Sequence, residues 1–287
     1  MDTKEILKLE STALQIRRNI LRLIKAGEAG HIGGALSSVE ILTALYFHLL
    51  RVDPKNPGWK ERDRFVLSAG HKCLVLYATL AEKGFFDKSI LDTYGALDSK
   101  VPGHPNMHKL PGVETNTGAL GHGLSIASGM ALGFKIEKSP AKVFALMGDG
   151  ELAEGSNWEA ASAASMHKLD NLVVFVDRNK LQISGPTIEV MNYEPLDERW
   201  RSFGWAVRVI DGHNIETIIE TVNRVPLEKG KPTVIIADTV KSKGISFAEA
   251  RVDFHYWKSK PDELELAERD FDNIEKQLKV KMKEVGL

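Results

Sequence analysis

Asp149 stands between two glycines at the end of an apolar run, "KVFALMGDG", and Asn179 closes a second run, "NLVVFVDRN", thirty residues later. In an open parallel sheet, ligands bind beyond the carboxyl ends of the strands, where both residues fall. One carboxylate and one amide oxygen are the hard donors that Mg2+ takes, and Mg2+ commonly shares its remaining positions with phosphate and water. Gly148 and Gly150 let backbone approach a ligand closely. A helix starting near Glu151 would turn its N-terminus to the same crevice, where free N–H groups and the helix dipole favour phosphate. The pattern points to a metal–diphosphate site. The competing reading is a plain Gly-Asp-Gly turn with Asn179 as a strand cap.

The surrounding pattern predicts the elements that hold these residues. An amphipathic helix is expected from about Lys4 to Lys25, with Ile6, Leu7, Leu14, Ile20, Leu21 and Ile24 at helical spacings. "AGHIGGALSS" breaks it, and Ser37 or Ser38 would cap the apolar helix "VEILTALYFHLL". "RFVLSAGH" reads as a buried strand and "KCLVLYATLAEKG" as a helix. Asp98 to Ala119 shows no periodicity, and so long an irregular stretch in a compact domain is usually functional or disordered. Beyond it, helices alternate with the continuously apolar runs "KVFALMGD", "NLVVFVD", "WAVRVI" and "PTVIIADTV". That alternation predicts an α/β fold, an open parallel sheet with helices on both faces. A charged helix from about Pro261 to Val285 closes a chain expected to be one domain over residues 1–287.

Composition excludes several function classes. A net charge of −1 argues against a nucleic-acid surface, and no apolar run is long enough to span a membrane. The single Cys73 rules out an internal disulfide and suits a reducing, cytoplasmic compartment.

The segment "LMGDGELAEGSNWEAASAASMHKLDNLVVFVDRNKL" resembles transketolase along almost its whole length, as do "AGHIGG", "DRFVLSAGH", "PGHPN", "NTGALGHGLSIASGMA" and "FGWAVRVIDGHN". The similarity runs in order from about residue 10 to 260 and corresponds to the N-terminal, diphosphate-binding domain of that family. It implies thiamine diphosphate and Mg2+, with Ca2+ or Mn2+ as substitutes. Asp149 and Asn179 would give side-chain ligands and Leu181 a backbone carbonyl, while Gly150 would set its N–H against the diphosphate. Gly118 and Leu120 match positions lining the aminopyrimidine. His31 and His104 match residues at the ketose hydroxyls, His71 one near the diphosphate, and His255 one reaching both cofactor and substrate. Lys241 matches a cofactor-contacting lysine. Imidazole suits proton movement on substrate oxygens near neutral pH. His122 and Tyr256 depart from the family pattern, which usually has Gln and Gly there. His108, His167 and His213 are read as capped or solvated, His48 as a core or interface group, and Glu154 as either helix surface or a buried contact between subunits.

The resemblance also implies a split enzyme. A partner chain would supply the pyrimidine-binding domain, in a heterotetramer with two copies of each chain. The pair would transfer a two-carbon ketol unit from a ketose phosphate to an aldose phosphate in pentose phosphate metabolism. A ketol transferase for another sugar, or a non-catalytic cofactor-binding paralogue, are the alternatives.

Overall fold

A computed structural model describes residues Met1–Leu287. Seven strands form: β1 (Ala29–Gly30), β2 (Arg64–Leu67), β3 (Val143–Gly148), β4 (Leu172–Arg178), β5 (Ala206–Asp211), β6 (Thr233–Asp238) and β7 (Trp257–Lys258). The helices are α1 (Thr3–Gly27), α2 (Ile32–Ser37), α3 (Val39–Ala44), α4 (Cys73–Lys83), α5 (Gly123–Ile136), α6 (Gly155–Met166), α7 (Thr187–Val190), α8 (Leu196–Ser202), α9 (Ile215–Val222) and α10 (Pro261–Glu284).

Five strands pair in the order β2-β3-β4-β6-β5, all parallel. Alternate residues of one strand enter different cores. Phe144 and Leu146 join a 54-residue cluster beneath α1, α3, α4 and α9, whereas Val143, Ala145 and Met147 join a 20-residue cluster beneath α5, α6 and α8. Both faces being covered, all six residues of β3 are buried, so the strand reads as unbroken apolar sequence. The register sets Gly148 beside Asp177 and Arg178 beside Asp238. The residues that follow these strands therefore leave the sheet side by side.

Three local expectations are corrected. The break before the second apolar helix is itself helical, α2, and Ser38 at the start of α3 does not cap it: its hydroxyl donates to the Gly34 carbonyl. The helix expected near Glu151 begins at Gly155, because Gly150–Ala153 forms a 3-10 turn and Glu151 points inward. β1 and β7, both unforeseen, pair antiparallel with Gly30 opposite Trp257. The stretch from Asp98 to Ala119 contains no helix or strand.

Candidate active site

Asp149 follows β3 and is 4 % exposed. Its Oδ1 accepts from Gly150 N–H at 2.8 Å and its Oδ2 from Lys180 N–H at 2.6 Å, which ties the ends of β3 and β4 together. Burial, then the nearby Asp177 charge, pushes its carboxyl up to about 6, against the pull of those N–H bonds. Asn179 donates from Nδ2 to Asp177 Oδ2 at 3.1 Å, while its Oδ1 accepts from Leu181 N–H at 3.2 Å. The Leu181 carbonyl accepts from Lys241 Nζ at 3.1 Å. Asp149, Asn179 and Leu181 share the lining of a cavity of about 280 Å³ with His31, His71, Gly118, Leu120, Lys241 and His255. Gly150 lines it as well, although its N–H is engaged by Asp149.

Asp177 organises this wall. It is fully buried and accepts from Lys72 Nζ at 2.5 Å, Ser37 Oγ at 2.6 Å and Asn179 Nδ2, and from Thr239 Oγ1. Burial alone would raise its carboxyl, but the Lys72 ammonium and these bonds hold it below the usual carboxylate range. Removing either partner of such a pair would strand a charge in the interior, at a cost of about 3–5 kcal/mol. Glu151 braces the neighbouring loops in the same way, accepting from Ser68 Oγ at 2.5 Å and from Gly121 and Gly148 N–H.

Three histidines, His31, His71 and His255, line the same cavity, and His104 lies beside His31. The His31 ring lies 5.3 Å from His71, 6.3 Å from His104 and 5.5 Å from His255, and His71 stacks on His255 at 5.5 Å. The β1–β7 ribbon brings His31 to the neighbourhood of His255, and His71 sits on a 3-10 turn after β2. Tyr77 donates to the His104 carbonyl at 2.9 Å. Gly118, at φ +151°, lets the His104 ring come close: a Cβ there would stand 2.9 Å from it. Burial and then the Lys72 charge push the His71 imidazole down to about 2, and burial and then Lys241 push His255 down to about 4. Burial, with His104 and Lys241 nearby, lowers His31 as well. Lys241, itself pushed down to about 8 mainly by burial, donates to His255 Nδ1 at 3.0 Å, so the His255 proton sits on Nε2. The Tyr256 ring packs edge-on against His31 at 4.8 Å and is half exposed.

The donor set suits an anionic cofactor with a metal. Three oxygens with one formal charge fit Mg2+ that completes its shell from phosphate. The Gln182 side-chain nitrogen, on the cavity wall, is buried without a hydrogen-bond partner, as a donor awaiting an anion would be. Residues 10–283 match the family model of the transketolase thiamine diphosphate binding domain.

The chain belongs to the transketolase family. It is 48% identical to an apulose-4-phosphate transketolase subunit of Actinobacillus succinogenes, over 91% of this chain and 94% of that one. It is 44% identical to the 6-deoxy-6-sulfo-D-fructose transketolase subunit SqwG of a Clostridium species, over 88% of this chain and 96% of that one. The solved transketolase of Campylobacter jejuni superposes with a TM-score of 0.87 at 33% identity, covering 95% of this chain and 43% of its own. The chain thus spans less than half the length of that transketolase. Within this family of transferases, it is a thiamine diphosphate binding domain with the family's parallel α/β fold.

All the residues singled out for cofactor, metal or chemistry converge on this one place. His122 is exposed, its Nδ1 3.0 Å from the Leu120 carbonyl. Glu154 is exposed on this chain, and Cys73 is buried, with its thiol pushed up to about 12 by burial. His48 is a surface group paired with Glu5, because its turn lies at the rim of the core. Lys72, Asp177, Glu151 and Gln182 escape sequence reasoning. The available signal is a charge inside an otherwise buried run, as Asp177 is in "NLVVFVD". No helix is long and apolar enough to cross a membrane.

Proposed function

We propose that this chain is the cofactor-binding half of a two-chain ketol transferase, moving a two-carbon ketol unit from a ketose phosphate to an aldose phosphate. The single observation that carries this reading is the meeting of Asp149, Asn179 and Leu181 with His31, His71 and His255 around one cavity, with His104 beside His31. Asp149, Asn179 and the Leu181 carbonyl would hold Mg2+, for which Ca2+ or Mn2+ substitutes. Lys241, His71, Gln182 and the Gly150 backbone would hold the diphosphate, with Gly118 and Leu120 against the aminopyrimidine. These residues would hold thiamine diphosphate, which would supply the carbon nucleophile for ketol transfer when bound. His31 and His104 bind and orient the hydroxyls at the reacting end of the sugar. His255, whose Nδ1 accepts from Lys241, presents its Nε2 proton as the donor toward substrate or diphosphate oxygen.

The partner would bring the pyrimidine-binding domain, in keeping with the names of the relatives, which are themselves called transketolase subunits. The surface offered to it includes the loop before α5 and the outer sides of α5 and α6. There Ile136 and Met166 are 73% and 80% exposed, and Gly129 and Gly133 face open space. Residues 1–287 would act as one domain of a cytoplasmic heterotetramer with two copies of each chain. The isolated chain, saturated with thiamine diphosphate and Mg2+, should show no ketol transfer until the partner is added. Full activity from the chain alone would overturn the two-chain reading.

A second reading concerns the sugar. The relatives named for apulose-4-phosphate and for a sulfonated fructose, at 48% and 44% identity, favour a branched or sulfonated donor over the pentose phosphate sugars. Tyr256, whose half-exposed ring packs on His31, would act on the donor through that histidine. Turnover on a donor panel, with the partner present, decides between them.

A further inference from the structure

Lys241 is 2 % exposed, and its ammonium bonds only to neutral acceptors, the Leu181 carbonyl and the His255 ring. Its place therefore depends on the backbone that carries it. That backbone leaves β6 and is pinned at the neighbouring residue, where Val240 N–H donates to His213 Nε2 at 2.8 Å. A backbone N–H is always a donor, so Nε2 is the acceptor and the His213 proton sits on Nδ1. Nδ1 in turn donates to Glu40 Oε2 at 2.9 Å, and Glu40 Oε1 accepts from Arg17 at 2.6 Å. Arg17 reaches the same segment again, donating from Nε to the Lys243 carbonyl at 3.2 Å.

All three side chains are largely shielded, with Arg17 at 7%, Glu40 at 11% and His213 at 16% exposure. Burial would raise the Glu40 carboxyl, but Arg17 and the bond from His213 hold it below the usual range. It is thus the charged anchor of the chain. Gly212 makes the approach possible: a Cβ there would stand 2.5 Å from Thr239 Cγ2, so a larger residue would push His213 away from the end of β6.

We propose that His213 is a positioning residue for the cofactor cradle, with Arg17, Glu40 and His213 fixing the backbone from which Lys241 reaches it. The proposal rests on the reading of Lys241 as a cofactor-contacting residue. The imidazole matches the need, because it offers an acceptor to the loop and a donor to the carboxylate from one rigid ring. His213→Leu removes both bonds, whereas His213→Gln keeps an acceptor within reach of Val240.

The test measures thiamine diphosphate affinity by calorimetry with saturating Mg2+, on the whole chain with its partner chain. It compares wild type, Lys241→Met, His213→Leu, His213→Gln and the Lys241→Met/His213→Leu double variant. Lys241→Met should weaken binding by roughly 10- to 30-fold and His213→Leu by about 10-fold, the scale of one charge-assisted hydrogen bond. The double variant should bind no worse than Lys241→Met alone, since both changes remove the same contact. His213→Gln should return to within about threefold of wild type. Wild-type affinity in Lys241→Met would overturn the assignment of Lys241 and this proposal with it. A normal loss there, with His213→Leu unchanged, the double losses additive, or His213→Gln as impaired as His213→Leu, would overturn the proposal alone.

Discussion

At the proposed metal end of the site, Asp149 and Asn179 stand directly on the ends of β3 and β4, and Asp177 ties Asn179 to Lys72, Ser37 and Thr239. At the other end, His31, His71, His104 and His255 come from four separate loops and meet with no hydrogen bond among their rings, through packing alone. The first end inherits the rigidity of the sheet and its hydrogen bonds are nearly complete. At the second, only one ring nitrogen is engaged, His255 Nδ1 by Lys241. Damage at the metal end should therefore appear as lost stability or lost cofactor binding, and damage at the histidine end as lost turnover.

The largest effect is expected from Asp177→Ala. It leaves the Lys72 ammonium buried without its partner, and should cost about 3–5 kcal/mol and lower the melting temperature by on the order of 10 °C. The Lys72→Met/Asp177→Leu double variant should recover much of that loss. A melting curve identical to wild type for Asp177→Ala would contradict the proposed anchoring. Next, Asp149→Ala should retain the fold but weaken thiamine diphosphate binding in Mg2+ by more than about 100-fold, since loss of a direct ligand exceeds the usual penalty for an outer one. Calorimetry showing unchanged affinity would remove Asp149 from the metal site.

His104→Ala should lower the rate of the donor half-reaction by on the order of 100-fold, the scale of one positioned acid–base group. Its cofactor affinity should stay within about twofold of wild type. A variant that fails to bind cofactor would erase the contrast between the two ends. The smallest effect concerns acid stability. His71 and His255 are held at about 2 and about 4, against an ordinary 6.5. The unfolded chain thus takes protons at these rings near pH 6.5, while the folded chain refuses them until far lower. Their effect on stability is absent above about pH 6.5, and stability falls as pH drops below it, down to about 4 for His255 and about 2 for His71. His71→Gln should melt with a shallower loss between pH 6.5 and 4 than wild type, and equal slopes would show that His71 is not shielded.

The metal end is legible in the sequence because a parallel sheet writes itself as unbroken apolar runs, and ligands gather where those runs stop. Asp149 and Asn179 stand at those stops. Asp177 is not legible: its partner Lys72 lies 105 residues away, and a lysine after "SAGH" looks like a surface residue until the fold buries it. The histidines are readable through resemblance to transketolase rather than through periodicity, because loops carry none. His213 reads as peripheral, since nothing in "IDGHN" hints that Glu40 and Val240 will bracket its ring. The start of α6 is misplaced for a related reason, Glu151 being drawn inward by Ser68, Gly121 and Gly148.

The spacing of the four imidazoles limits how much positive charge they hold together. Two unit charges 5.5 Å apart repel by about 3 kcal/mol at an effective dielectric constant near 20, more than two pH units of bias against a second proton. The cluster thus has room for at most one proton, already disfavoured by burial and by Lys72 and Lys241. In the proposed reaction, a proton taken from a sugar hydroxyl would have to leave the cluster or return to the substrate before another is accepted. Breaking one carbon–carbon bond and making the next would then proceed in strict alternation, with the same proton lent and returned.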